Sequence, residues 1–160
     1  MRPSAIATPF LALALLASLP RAVPACSCTF LPDFATAYAQ SEAVFLGEVL
    51  GVESAAPDYL EAVWVTLRVE AQWKGAPSAT IPVLTGNSDA NCGVGFVPGG
   101  RYLVYALAGN TLYGALPPGG VWTHLCWRTN QYWPEDPDLV ALGPTPVASG
   151  SWGSLKIRYR

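Results

Sequence analysis

Two cysteines separated by a single residue, Cys26 and Cys28, are the residues best placed to do chemistry in this chain. They directly follow a stretch typical of a signal peptide, and cleavage after Ala25 makes Cys26 the first residue of the mature chain. The pKa of an α-amino group is about 7.7–8.0, so part of the population is neutral at neutral pH. A neutral amine held beside its own carbonyl is a bidentate metal ligand. It could take the open position of a catalytic zinc ion and displace the water nucleophile.

Residues 1–25 predict a secretory signal peptide. They combine a basic start at Arg2, an apolar stretch over residues 5–19 and small side chains at Val23 and Ala25, and they contain no acid. The stretch is too short and too weakly flanked for a membrane anchor. We therefore expect export from the cytoplasm.

A lipoprotein is the alternative reading of the same position. Cys26 follows a small residue, but Pro20-Arg21 separates it from the apolar stretch and Pro24 lies two residues before it. The prediction is a secreted or cell-envelope protein with a free Cys26, and lipid attachment at Cys26 is the alternative.

The composition of the mature chain limits the classes of protein to which it can belong. Removing 25 of the 160 residues leaves 135, enough for one domain with a core. Nine Lys and Arg, less two in the signal peptide, stand against eleven Asp and Glu, a net charge of −4. Scattered cations give no electrostatic footprint for nucleic acid. No second apolar run approaches the roughly 20 residues of a membrane span. We expect a monomer without a cofactor.

Four cysteines in an exported chain predict two disulfides. A bond between Cys26 and Cys28 is disfavoured, because one intervening residue forces a strained ring. Two connectivities remain open, Cys26 with Cys92 and Cys28 with Cys126, or Cys26 with Cys126 and Cys28 with Cys92. A zinc site built from these thiols is the alternative, but an oxidising compartment disfavours it.

The region after the cysteines predicts a short helix and a curved strand. Asp33 is typical of an N-cap, and apolar residues at helical spacing predict a helix over residues 34–40. Residues 43–52 are near-continuously apolar, as in a buried strand. Gly47 and Gly51 interrupt that pattern and indicate bulges or bends.

Two more strands are predicted over residues 60–74 and 80–85. The first alternates with period two, which predicts an amphipathic strand. Its apolar face comprises Val63, Val65, Leu67, Val69, Ala71 and Trp73, and its other face Trp64, Thr66, Arg68, Glu70, Gln72 and Lys74. Pro82 places the second strand at an edge or a bulge.

The second half predicts more strands and a terminal helix. Residues 101–108 have strand character, Gly109-Asn110 is a two-residue hairpin signal, and residues 111–116 are predicted to return. Residues 121–127 are predicted to be extended and to carry Cys126. Five or so strands with short helices predict a mostly β, small-barrel domain over residues 26–142.

The last residues predict a short helix within 134–143, with Asp136 as N-cap and Glu135 and Asp138 as further cap and solubility residues. Residues 143–160 are a connector with a candidate last strand.

Other chemistry is sparse. His124 is the single histidine, and a lone strand histidine beside a cystine is typically structural. No serine lies in a nucleophile-elbow context. The sequence therefore disfavours an enzyme. An aromatic surplus suggests a binding surface instead, formed by Trp122, Trp127, Tyr132 and Trp133.

Several segments in order resemble the tissue inhibitors of metalloproteinases and, more broadly, the netrin-type module. The resemblance covers about residues 26–130. The segments are Cys26-Ser27-Cys28, Ser41-Glu42-Ala43-Val44-Phe45-Leu46-Gly47-Glu48-Val49, Trp73-Lys74-Gly75, Cys92-Gly93, Tyr102-Leu103-Val104-Tyr105-Ala106 and Cys126.

The resemblance implies a five-stranded OB-type barrel with short flanking helices and the disulfides Cys26–Cys92 and Cys28–Cys126. It also implies that the amine and carbonyl of Cys26 chelate the zinc of a target metalloendopeptidase, the chain having no metal of its own. The Ser27 side chain would enter the specificity pocket. The remaining contact residues would be Cys28, Thr29, Ser88, Asp89, Ala90 and Asn91.

The chain departs from that family in three respects. It lacks the third disulfide of the inhibitory domain, and it lacks the cysteine-rich C-terminal domain. Thr29 and Phe30 stand where the inhibitors carry an apolar residue and a proline. A non-inhibitory extracellular or envelope module on the same barrel is therefore the alternative function.

Overall fold

The computed structural model describes residues 26–144. The predicted signal peptide and residues 145–160 of the predicted connector lie outside the described residues. Residues 26–144 contain two α-helices, α1 (Phe34–Gln40) and α2 (Pro137–Leu142). The longer strands are β1 (Ala43–Ser54), β2 (Ala62–Lys74), β3 (Thr80–Gly86) and β4 (Arg101–Ala108). Two-residue strands are β5 (Asn110–Thr111), β6 (Gly114–Ala115), β7 (Val121–Trp122) and β8 (Asn130–Gln131).

Helix α1 begins and ends where side chains satisfy its free backbone groups. The Asp33 carboxylate accepts a hydrogen bond from the Thr36 amide at 2.7 Å, as the sequence predicts for an N-cap. At the other end, the Ser41 hydroxyl donates to the carbonyl oxygen of Ala37 at 2.8 Å. Ala37 is fully buried and packs the helix against Val44 of β1.

Strand β1 bends around the barrel, as its glycines predict. Its register with β2 shifts at three points, two of which involve Gly47 and Gly51. A Cβ at Gly47 would lie 3.0 Å from the carbonyl oxygen of Arg68 on β2, so the strands approach closely there. The bends let β1 pair with β2 on one side and β4 on the other.

Five strands form a closed barrel. The order is β1-β2-β3-β7-β4, and pairing between β1 and β4 closes the circle. All neighbours are antiparallel except β3 and β7, which pair in parallel. The predicted mostly β barrel of OB type is therefore confirmed, with its two short helices and two disulfides.

The barrel interior follows the predicted alternation of β2. Val65 and Leu67 are fully buried, while Thr66 and Arg68 are exposed. Trp64 departs from the predicted polar face, because it packs edge-on against Tyr59 in a separate apolar cluster. The core contains Phe45, Val49, Val65, Leu67, Val83 and Val104.

The predicted hairpin at Gly109-Asn110 is wrong. Strand β4 already pairs with β1 along one edge and with β7 and β8 along the other, so no edge is left for a returning strand. The chain instead turns at residues 112–113, and β5 pairs with β6 across that turn. The Thr111 hydroxyl fixes that turn by accepting from the Tyr113 amide and donating to the Gly114 carbonyl, both at 2.8 Å.

The prediction of an extended conformation over residues 121–127 is confirmed only at the start of that segment. Strand β7 ends at Trp122, and the chain turns at Leu125 and Cys126. The Trp127 amide donates to the His124 carbonyl at 3.0 Å, which closes this turn. Within residues 26–144, none of the helices has the length and apolarity that crossing a membrane demands.

Candidate functional site

Two disulfides fix the first residues of the described chain to the barrel. Cys26 pairs with Cys92 and Cys28 with Cys126, with Cα–Cα separations of 5.1 and 5.2 Å. This is the connectivity that the resemblance implies. Ser27 lies between the two attachment points with its side chain exposed to solvent. Thr29, which follows them, is exposed as well.

The Cys26 nitrogen lies against a tight turn that precedes its disulfide partner. Residues 89–91 form a single 3-10 turn (Asp89–Asn91). The carbonyl oxygen of Asp89 accepts from the Cys26 nitrogen at 3.3 Å and from the Cys92 amide at 3.2 Å. The Asp89 carbonyl therefore holds the backbone at both ends of the Cys26–Cys92 disulfide. We call residues 26–29 and 88–91 together the N-terminal ridge.

The Asn91 side chain forms hydrogen bonds that hold the turn of the ridge in place. Its side-chain oxygen accepts from the Ser88 amide at 3.2 Å, and its side-chain nitrogen donates to Asn87 at 3.0 Å and to the carbonyl of Glu61. The Tyr113 hydroxyl donates to the Asn91 carbonyl at 2.9 Å. Asn91 is half-buried, so its side chain serves the turn rather than the outer surface.

The other predicted ridge residues of this turn face outward. Ser88, Asp89 and Ala90 are all exposed. The turn packs so closely on the end of β3 that side chains do not fit beneath it. A Cβ at Gly93 would lie 2.2 Å from the carbonyl oxygen of Gly86. Glycine at position 93 is thus what allows this packing.

The second attachment point is connected to the first. Cys126 lies in the turn after β7, and the amide of its neighbour Leu125 donates to the Cys92 carbonyl at 2.7 Å. The Sγ atoms of Cys26 and Cys126, which belong to different disulfides, are 3.7 Å apart. All four cysteines are in disulfides, so the alternative of a zinc site built from their thiolates does not hold in this structure.

The surface around the ridge is apolar and acidic. Phe30 and Leu31 are 72% and 57% exposed just after the second disulfide. An open groove of about 550 Å³ borders Cys92, and the exposed side chains of Leu60 and Leu112 line it. Asp58 and Glu61 lie in the same groove.

A partly buried ionic cluster, which the sequence did not predict, includes residues that flank Cys126 in the chain. The Arg128 guanidinium pairs with Asp138 through two nitrogens, one of them at 2.7 Å. The Tyr105 hydroxyl donates to the same carboxylate at 2.9 Å. We call Tyr105, Thr123, Arg128, Thr129 and Asp138 the polar hub.

The hub corrects the interpretation of the C-terminal acids. Asp136 caps α2 as predicted, accepting from the Asp138 amide at 2.8 Å. Asp138, however, is 3% exposed, so its predicted role as a solubility residue is wrong. Its partner lies ten residues earlier in an irregular segment, where no periodic pattern marks a contact. Burial and then the Asp138 carboxylate raise the pKa of Tyr105.

The hub also reaches the N-terminal segment. Arg128 donates a third hydrogen bond, from Nη1 to the Pro32 carbonyl at 3.1 Å. The Thr129 hydroxyl accepts from the Tyr105 amide at 2.9 Å, and it lies 2.7 Å from the Thr123 hydroxyl. Residues on both sides of Cys126 are therefore held in place without help from the disulfide.

The predicted aromatic surface is mostly interior. Trp122 is 7% exposed, and Trp127 is half-buried with its indole N–H donating to the Ser41 hydroxyl at 3.1 Å. Tyr132 is partly covered by the Arg101 guanidinium, 4.2 Å from the ring centroid. Only Trp133 of the four is largely exposed, at 55%.

His124 packs among these rings. It stacks on Trp122 with centroids 5.0 Å apart, and burial lowers its pKa. Its position between core aromatics agrees with the structural role predicted from the sequence.

No protein-family model matches the chain, and no curated protein matches it. The fold and the ridge define its class by themselves: a disulfide-anchored OB-type barrel that carries its N-terminal cysteines on a shaped, exposed ridge.

Proposed function

We propose that the protein is an exported metalloproteinase inhibitor in which removal of residues 1–25 frees the amine of Cys26. That amine and the Cys26 carbonyl would chelate the zinc of a target metalloendopeptidase. The observation that carries the proposal is the double attachment of a three-residue segment: Cys26 and Cys28 are each bonded to the barrel, and Ser27 is exposed between them.

Preorganisation is the physical reason to expect tight binding. A metal ligand on a mobile chain end loses conformational freedom when it binds, whereas a ligand already held in place does not. The Cys26 nitrogen is fixed by its disulfide and by the Asp89 carbonyl at 3.3 Å. A neutral α-amine there can donate one hydrogen to Asp89 and still offer its lone pair to a metal.

The carbonyl half of the chelate is also free. Among residues 26–144, no donor forms a hydrogen bond with the Cys26 carbonyl oxygen. A catalytic zinc ion with three protein ligands keeps one position for water, and some such ions expand to five-coordinate. The amine and the carbonyl of Cys26 match those two positions.

The rest of the ridge would supply specificity. Ser27 directly follows the proposed metal contact in the chain, and its side chain is short, polar and exposed. Such a side chain favours a target with a small or hydrated pocket below the zinc. Ser88, Asp89 and Ala90 would contact the rim of the target, while the inward-facing Asn91 would hold their turn in shape.

A second candidate function is a binding module of the cell exterior or envelope that does not inhibit a protease. The exposed pair Phe30 and Leu31 favours it, because two neighbouring large apolar side chains form a contact surface that needs no free N-terminus. Lipid attachment at Cys26 would be compatible with this function and incompatible with chelation.

The first experiment is intact mass spectrometry of the exported protein, with and without reduction. A mass that matches residues 26–160 with two disulfides would establish the free amine that the proposal requires. A lipid on Cys26, or a start upstream of it, would contradict inhibition and favour the second candidate.

The decisive experiment compares the mature protein with a variant carrying one additional Ala before Cys26. The extension replaces the amine by an amide, which is a poor metal ligand, while both disulfides remain. Against a panel of zinc endopeptidases, we expect the extended form to lose inhibition while it keeps the same disulfide map and thermal midpoint. Equal inhibition by both forms, or none by the mature form with a free Cys26, would refute the proposal.

A further inference from the structure

We propose that the two disulfides form one thiol–disulfide exchange site whose substrate is an external dithiol. In this site, the thiolate of Cys126 attacks Cys26 and moves the bond from Cys26–Cys92 to Cys26–Cys126. The inference rests on the arrangement of the sulfur atoms and does not depend on the proposed function.

The sulfur atoms are in contact across the two bonds. The Sγ atoms of Cys26 and Cys126 are 3.7 Å apart, and those of Cys26, Cys92 and Cys126 all lie within 4.8 Å of one another. Exchange requires a thiolate to reach a disulfide sulfur. Once its own bond is cleaved, the Cys126 side chain can rotate towards Cys26, which it already touches.

The backbones around these sulfurs are held without the disulfides. The Asp89 carbonyl binds the nitrogens of Cys26 and Cys92, and the Cys92 carbonyl binds the Leu125 amide at 2.7 Å. Arg128 fixes the chain beyond Cys126 through its pair with Asp138. Cleaving one bond therefore leaves the remaining sulfurs close together, where an intramolecular attack is favoured over an intermolecular one.

The exposure of the four cysteines determines which disulfide reacts first. Cys28 is exposed, whereas Cys26, Cys92 and Cys126 are partly buried. One thiolate of the external dithiol attacks Sγ of Cys28, forms a mixed disulfide and releases the Cys126 thiolate. The second thiolate of the dithiol then displaces Cys28, which leaves as a thiolate and takes a proton from water, and the dithiol departs as a disulfide.

The bond then migrates within the protein. The Cys126 thiolate attacks Sγ of Cys26, the Cys26–Cys92 bond breaks, and Cys92 leaves as a thiolate that takes a proton from water. The dithiol has lost two electrons, and the protein keeps one disulfide, Cys26–Cys126, with thiols at Cys28 and Cys92. Because thiolates are the attacking species, the rate rises with pH towards the thiol pKa of about 8.5.

The consequence concerns the ridge. After migration, Cys26 is bonded to the turn after β7 instead of the turn that contains Asp89. Residues 88–91 then lose their covalent link to the chain start. The two parts of the ridge then keep the hydrogen bond from the Cys26 nitrogen to the Asp89 carbonyl. Restoring the original pairing requires the Cys92 thiolate to attack Cys26 and release Cys126, after which a two-electron thiol oxidant joins Cys28 to Cys126.

Two single variants test the site and serve as each other's controls. Cys28→Ser leaves Cys126 as a free thiol in contact with Cys26, whereas Cys126→Ser leaves the free thiol on Cys28, which is not part of the three-sulfur cluster. Each protein is incubated at pH 8, alkylated at acidic pH and mapped by non-reducing peptide mass spectrometry. Cleavage at Arg101 separates Cys92 from Cys126.

We expect Cys28→Ser to contain both Cys26–Cys92 and Cys26–Cys126, within about tenfold of each other. We expect Cys126→Ser to keep Cys26–Cys92 in more than about nine-tenths of the molecules. Cys26–Cys92 alone in Cys28→Ser, or equal scrambling in both variants, would overturn the proposal.

The unmodified mature protein provides a test that does not depend on variants folding. Limited treatment with dithiothreitol, followed by alkylation, isolates the species with one disulfide. The proposal expects Cys26–Cys126 with labels on Cys28 and Cys92, localised by fragmentation. Because the two pairings are expected within about tenfold of each other, a Cys26–Cys92 species with labels on Cys28 and Cys126 should accompany it, and the complete absence of the Cys26–Cys126 species would refute the proposal.

Discussion

The N-terminal ridge and the polar hub are held by different means. The ridge is fixed by disulfides and by backbone hydrogen bonds to Asp89, and most of its side chains are exposed. The hub is fixed by side chains, with Asp138 accepting from both Arg128 and Tyr105 in a buried setting.

The difference separates two ways in which side chains are used. Where the backbone and cystines define the shape, the outward side chains are free to serve recognition. Where side chains define the shape, each one is required, because removing one partner leaves another buried group unpaired. Substitutions in the two regions should therefore have very different costs.

The largest effect is expected from breaking the hub. Asp138→Ala leaves the Arg128 charge and the Tyr105 hydroxyl without their partner, and removing one member of a buried ion pair costs about 3–5 kcal/mol. Urea unfolding followed by tryptophan fluorescence measures the loss. The control is Glu135→Ala, which removes an exposed acid just before the same helix and should cost less than about 0.5 kcal/mol. Similar losses in both would show that the hub carries no special stability.

The next effect tests the backbone of the ridge. Gly93→Ala introduces a Cβ that would lie 2.2 Å from the Gly86 carbonyl, so the turn must move away from β3. Overpacking of this kind costs about 1–3 kcal/mol. Gly95→Ala is the matched control, because nothing lies within 4 Å of its Cβ. An unchanged unfolding midpoint for both variants would contradict the close packing of this turn.

A smaller effect is expected at Asn91, the half-buried polar side chain of the ridge. Asn91→Ala removes the bonds to Ser88, Asn87 and Glu61, for an expected loss of about 1–2 kcal/mol. Ser27→Ala, on the exposed part of the ridge, should stay within about 0.5 kcal/mol of the parent. Thermal unfolding of the two variants side by side decides this. A costly Ser27→Ala would mean that the exposed part of the ridge is not free to vary.

The smallest effect is a pH dependence from His124, whose ring packs against those of Trp122 and Trp127. Burial lowers the pKa of His124 in the folded state, so the unfolded state binds a proton more readily. Its contribution to stability is therefore present at neutral pH and is lost as pH falls below the unfolded value of about 6.5. Unfolding free energies at pH 7.5 and 5.5 should fall less steeply in His124→Gln than in the parent. Parallel slopes would exclude this role.

Much of the fold could be predicted because its signals are local. The Asp33 cap, the alternation through Val65 and Leu67 and the interruption at Gly47 each report on neighbouring residues, and the structure contains all three features. The hairpin at Gly109-Asn110 was predicted wrongly because a local turn signal does not reveal that both edges of β4 are occupied.

In the candidate site, too, local features could be predicted from the sequence, whereas contacts between distant segments could not. The Cys26-Ser27-Cys28 segment could be singled out from its residue types and spacing, whereas the residues alone left two disulfide connectivities open. The role of Asn91 and the pairing of Arg128 with Asp138 depend on which loops meet in space. No spacing rule encodes such contacts between irregular segments.

Because strand β7 has only two residues, the strand pairing around the barrel is uneven. Strands β1 and β2 share ten paired positions, whereas β7 meets β3 at two residue pairs and β4 at another two. Regions with few paired amides open at lower free energy than the rest of a protein. The barrel therefore has a seam along Val121 and Trp122, where amide hydrogens should exchange with solvent long before those of β1 and β2.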